Sequence, residues 1–202
     1  LGPVPRGLGP HTTRVLSDTL RANTLAKKLV GMQLMIEPMA LALFHLIRAA
    51  KVEPVLCDLL ALYERDEARH VALGVLHLPK LLTGMSTAEA IDLWGWEFSA
   101  YWNQLATLRE LEPQFRVLGI DVREVVRIGR QKQVRANQQL IAELGSPVPV
   151  IDLFVRFFDA KAAWDWPTGP VSSWRDRASD AWRAATRGLV DEVGVPPAVT
   201  SG

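Results

Sequence analysis

The stretch Leu29 to Leu46 reads LVGMQLMIEPMALALFHL, and it is apolar around nearly the whole circumference of a helix. Only Gln33, Glu37 and His45 interrupt it. A helix of this kind lies inside a bundle or crosses a membrane. A carboxylate near the middle of a membrane span is costly, and the rest of the chain offers no second span, so burial in a bundle is the expectation. Burial in turn sets a condition on Glu37. An ionised carboxylate in a core needs a cation, either a metal ion or an Arg partner, and this helix alone leaves both open. Pro38 removes a backbone hydrogen bond at the same place. The expectation there is a kink or π-bulge of the sort that accompanies ligand-bearing helices, or else a helix break.

The next helix carries Tyr63-Glu64-Arg65-Asp66-Glu67-Ala68-Arg69-His70. Glu67 and His70 are three apart, so they leave the helix on nearly the same face, one turn from each other. A carboxylate and an imidazole so placed can bind one metal ion together, with the carboxylate free to bridge to a second. A turn near Lys51–Pro54 would make the two helices antiparallel. Glu37 then lies about as many residues before the turn as Glu67 lies after it, roughly 20 Å along each helix at 1.5 Å per residue, so the two carboxylates are expected level with each other.

The string YERDEARHVALGV, with Glu37 and the following ALALF run upstream, resembles one half of the ferritin-like di-iron carboxylate superfamily. That superfamily includes ribonucleotide reductase small subunits, acyl-carrier-protein desaturases and arylamine N-oxygenases. The resemblance covers residues 25–80. It implies an all-α, ferritin-like helical bundle whose antiparallel helix pair carries Glu37, Glu67 and His70 as metal ligands. It further implies a di-iron cofactor, with Mn as the substitute metal, that activates dioxygen to oxidise a small organic or carrier-bound substrate. Asp66 would then support a ligand histidine and Tyr63 would approach the metals, although a surface pair for Asp66 and a packed ring for Tyr63 are equally consistent with the sequence. Members of the superfamily use two such halves. Here all four histidines lie at or before residue 77, and the best lone helical acid further on is Glu97. The other half is therefore expected upstream of Leu1, in a longer chain, or in a second copy forming a homodimer. Pro38 also stands where many members carry a small residue.

Elsewhere the pattern is helical throughout. Residues 1–12 are rich in Gly and Pro and are expected to be irregular. Helices are expected over Thr13–Ala50, from Pro54 to a stop at Pro79, from the capping box Ser86-Thr87-Ala88-Glu89 to about Leu111, from Asp121 to Gly145, over Val150–Ala163, and from Ser173 toward Gly194. This gives a ligand-bearing pair over 13–80, accessory helices of the same domain over 81–194, and a disordered tail over 195–202. His45 and His77 read as core or boundary histidines, and Met32, Met35 and Met39 as core filler. Trp94, Trp96 and Trp102 read as packing or interface residues.

Composition narrows the function. A net charge of +1 calls for neither nucleic acid nor an acidic membrane. The basic set Arg123, Arg127, Arg130 and Arg135 reads as a solvated helix face, or as a patch for an acidic partner. The single Cys57 excludes an internal disulfide and fits a cytoplasmic protein. The excess of Arg over Lys matches bacterial high-GC coding. No phosphate-binding glycine loop, zinc spacing or nucleophile constellation is present. Beside the oxidase reading stand a ferroxidase or iron-binding protein, and a non-catalytic helical interaction protein with a degenerate metal site.

Overall fold

The computed structural model describes residues 7–145, 149–167, 169–170 and 173–188. The described residues form helices and turns, with no strand among them. In order these are α1 (Pro10–Leu20), α2 (Leu25–Leu29), a π-helical segment (Val30–Ile36), α3 (Glu37–Ala49), α4 (Pro54–Thr83), α5 (Thr87–Val117), α6 (Val122–Leu144), α7 (Pro149–Asp165) and α8 (Trp174–Ala185). The all-α expectation holds, and the architecture is a helical bundle.

Several boundaries differ from the expectation. The first helix starts earlier, at Pro10, which takes the first-turn position that proline favours. The expected single helix over Thr13–Ala50 is broken at Arg21–Thr24, because the Thr24 hydroxyl accepts from the Lys27 N–H (3.3 Å) and caps a new start. Neither Pro79 nor Pro113 stops its helix. Leu78 is fully buried just before Pro79, and Leu81 and Leu82 pack on the same core just after it. Phe115 does the same for Pro113 in a second cluster. Burial beyond each proline offsets its lost backbone bond. The expected disordered tail over 195–202 lies outside the described residues.

The turns obey local chemistry. Glu53 closes the α3–α4 connection by accepting from the Val55 and Leu56 N–H groups. Ser86 and Glu89 form the capping box of α5, and Ser173 and Asp176 that of α8. Gly145 ends α6 in the left-handed region, at φ 67°.

The segment Leu25–Ala49 is the backbone of the bundle. By length and composition alone it is long and apolar enough to cross a membrane, with mean hydropathy 1.6, a property that the core helix of a soluble protein shares. Leu34 and Met35 are buried against Val75 and Leu78 of α4, Leu93 and Ala100 of α5, and Ala136 and Leu140 of α6. Helix α6 packs on both α3 and α4. A second cluster, built on Leu108, Val125 and Trp166, joins α5, α6 and the end of α7. Arg130 of α6 donates two hydrogen bonds to buried Asp159 of α7 (2.6 and 2.9 Å) and one to the Gly188 carbonyl (2.6 Å).

Candidate metal centre

Glu37 opens α3 directly after the π segment, and its N–H reaches back five residues to the Met32 carbonyl. The wider π turn thus ends where Glu37 begins, at the position Pro38 suggested. Side chains of other helices hold this stretch. The Met35 carbonyl accepts from Gln104 Nε2 of α5 (2.8 Å) and Gln133 Nε2 of α6 (3.4 Å), and Gln133 also donates to Gln104 Oε1 (2.9 Å). These two glutamines fix the height of Glu37 relative to the rest of the bundle.

Across from it, α4 brings Glu67 and His70 to the same point. His70 Nδ1 lies 3.2 Å from Glu67 Oε2 and 3.7 Å from Glu37 Oε1. One ligand atom from each of the three residues falls within 4.8 Å of the others. The level placement expected from equal distances to the turn is what the structure shows. The three side chains differ in exposure: Glu37 is buried, Glu67 is partly covered and His70 is open to solvent.

Close approach depends on Gly74, one turn beyond His70. A Cβ there would stand 2.3 Å from the Cβ of Gln33, so any side chain would push α4 away from the π segment.

The electrostatics suit a cation. Burial, and then the charge of Glu67, push the Glu37 carboxyl up from 4.5 to about 7, while His70 acts in the opposite sense. Among the described residues no Lys or Arg pairs with Glu37, so the Arg alternative left open by the sequence is not realised. Arg48, the cation of α3, bonds Glu64 instead. The second oxygen of Glu37 is buried without a hydrogen-bond partner, and so are Gln33 Oε1 and Glu64 Oε1. An orphaned carboxylate oxygen beside a second carboxylate and an imidazole belongs to the donor set that a divalent transition metal takes. The residues present therefore fit a metal ion.

Other expected site residues lie elsewhere. Asp66 bonds Arg69 (3.0 Å) on the outer surface rather than supporting a ligand. The Tyr63 ring is tilted against Phe44, at 6.1 Å between centroids, and is half exposed. His45 and His77 are both exposed, against the core or boundary position expected of them, because each falls on the outer face of its helix. Arg123 and Arg127 bond their own helix-start acids, Asp121 and Glu124, and Arg130 is largely buried against Asp159. The expected basic face is thus divided, with Arg123 and Arg135 on the outside and Arg130 turned inward.

Glu97 does not join the cluster. It is buried in a separate cavity of about 70 Å³ between α5, α6 and α7, beside Tyr101, Asn137 and Phe158. Burial raises its carboxyl to about 7 and also raises the Tyr101 phenol.

Gln33 and Glu64 were missed from sequence. Each had a signal, since Gln33 precedes Glu37 by four residues and Glu64 precedes Glu67 by three, which places them one turn along the ligand faces.

No protein-family model, curated protein or solved structure matches the chain.

Proposed function

We propose that the protein is a non-haem iron protein in which Glu37, Glu67 and His70 supply one half of a ferritin-like di-iron carboxylate centre, and that this centre serves an oxidase or oxygenase. The observation carrying this reading is the convergence of a buried carboxylate that lacks a basic partner with a carboxylate and an imidazole on one face of the facing helix. Glu37 and Glu67 would be carboxylate ligands, with the imidazole of His70 as the nitrogen ligand. Iron bound there would supply redox chemistry toward dioxygen, with Mn as the substitute metal. The protein's own part is positional. Gln104 and Gln133 hold the π segment, and Gly74 lets α4 approach. The substrate is a small organic or carrier-bound molecule, and the site works in the cytoplasm.

A second reading has its own support. Three ligands with an open His70 suffice to bind a metal without activating dioxygen, which suits an iron-binding or interaction protein with a degenerate centre.

Anaerobic loading with Fe(II), followed by metal analysis, tests the first claim. The protein should retain iron, and Glu67→Ala should lose it. Failure of the wild-type chain to retain any transition metal would sink the metal reading. Retention of iron without consumption of dioxygen would select the second reading.

A further inference from the structure

Helix α4 packs on α2, the π segment, α3 and α6 with one side only. Its opposite side carries Val55, Leu59, Leu62, Leu73 and Leu76, and each of these side chains is at least 43% exposed. They recur in alternating steps of four and three residues, the spacing of a helix-pairing seam. Asp66 and Arg69 occupy the two seam positions between Leu62 and Leu73 and bond each other at 3.0 Å. The exposed imidazole of His70 borders the same face. An apolar helix face of this length, carrying one central charge pair, is not the solvated outside of a bundle.

The geometry points to a second copy of this chain as the occupant of that face, with α4 packed antiparallel on α4 about a two-fold axis between Asp66 and Arg69. From Leu59 to Leu76 the seam is symmetric about its centre; at each end Val55 meets exposed Lys80, whose long side chain can carry its charge out to water. In that register Leu59 meets the second copy's Leu76, Leu62 meets its Leu73, and Asp66 meets its Arg69. Every contact is repeated by the axis, as a closed isologous interface requires. The central charges also select the register. A shift by one heptad in either direction would set both Asp66 and Arg69 against leucine, where a charge facing an apolar side chain is costly. Between Leu59 and Leu76 the surface is thus self-complementary in both apolar content and charge. It would also cover the open side of His70 and bring two Glu–Glu–His sets onto one assembly. That last consequence rests on the metal reading; the pairing itself rests only on α4.

The test uses the full chain, kept free of metal by a chelator, in analytical ultracentrifugation. Wild type should sediment as a dimer. Asp66→Arg and Arg69→Asp each create like-charge contacts across the axis and should weaken the dimer by about tenfold or more. Mixing these two variants sets the paired arginines of one copy against the paired aspartates of the other, and the dimer should return. Both positions are exposed in the single chain, so helicity by circular dichroism should be unchanged. A monomeric wild type would overturn the proposal, as would a dimer indifferent to both substitutions or a mixture that fails to re-form. Iron retention is read separately, on aliquots freed of chelator and loaded anaerobically with Fe(II): a monomer that holds iron defeats the pairing alone, and a dimer that holds none defeats the metal reading alone.

Discussion

His70 Nδ1 sits 3.2 Å from Glu67 Oε2, one helical turn away on the same face of α4, and Glu37 Oε1 of the facing helix completes the contact at 3.7 Å. The three groups are unequal partners. Glu37 is enclosed and gains most from a cation, whereas His70 meets solvent. His70→Ala is therefore expected to weaken metal binding while leaving the fold intact. Glu37→Ala should abolish binding. Titration with Co(II), followed by its visible absorption, would rank the two; equal affinity in wild type and Glu37→Ala would refute the assignment.

Glu37→Gln separates charge from shape. It keeps the packing of a buried side chain but removes the charge that burial and Glu67 oppose. Without metal, the variant should be at least as stable as wild type near neutral pH, yet bind metal far more weakly. Thermal melts with and without metal would show the two effects moving in opposite directions. A loss of stability in the metal-free variant would argue that Glu37 serves the fold instead.

Gly74→Ala should cost about 1–3 kcal/mol, because its Cβ cannot be accommodated against Gln33 without moving α4. The same displacement separates Glu67 and His70 from Glu37, so metal affinity should fall along with the melting temperature. Gly95→Ala is the control, since a Cβ there meets nothing within 4 Å.

Glu97 gives the fold a pH dependence of definite sign. Its carboxyl stands at about 7 in the folded protein against an ordinary 4.5, so the folded state holds the proton more tightly than the unfolded chain. The stability from the neutral form is complete below about pH 4.5 and is lost as the pH rises through about 7, up to a total of about 3 kcal/mol. Glu97→Gln should remove that slope. Urea unfolding at about pH 5 and about pH 8 would measure it, and parallel wild-type and variant curves would rule the effect out. Glu37 contributes with the same sign in both proteins and cancels in the comparison.

Asp159→Ala leaves the largely buried Arg130 without its carboxylate and should destabilise the protein by about 3–5 kcal/mol. Replacing both Arg130 and Asp159 with apolar residues should restore part of that loss. A double variant no better than the single one would show that the Arg130 bond to the Gly188 carbonyl matters more than the ion pair.

The helical class, the capping boxes at Ser86 and Ser173, and the level placement of Glu37 and Glu67 were legible in the chain, because each depends on spacing along one helix or on one short turn. The break at Arg21–Thr24 was legible in principle, through the capping hydroxyl of Thr24, but the apolar run beyond it hid the signal. The passage of α4 through Pro79 and of α5 through Pro113 was not legible. It depends on Leu78, Leu82 and Phe115 meeting residues from distant helices. For the same reason Glu97 looked like a ligand candidate in sequence and lies in a different cavity in the fold.

What the sequence determined by itself is the periodic part: helices, their caps, and a Glu67–His70 pair that shares a face because of the helical repeat. What tertiary structure decided is which charges meet. Arg48 went to Glu64 and Arg130 to Asp159, which left Glu37 buried with Glu67 and His70 as the charged partners beside it among the described residues. Charge pairing acts over a few ångströms between groups far apart in the chain, so no local pattern fixes it, and the packing that does fix it created the candidate metal site.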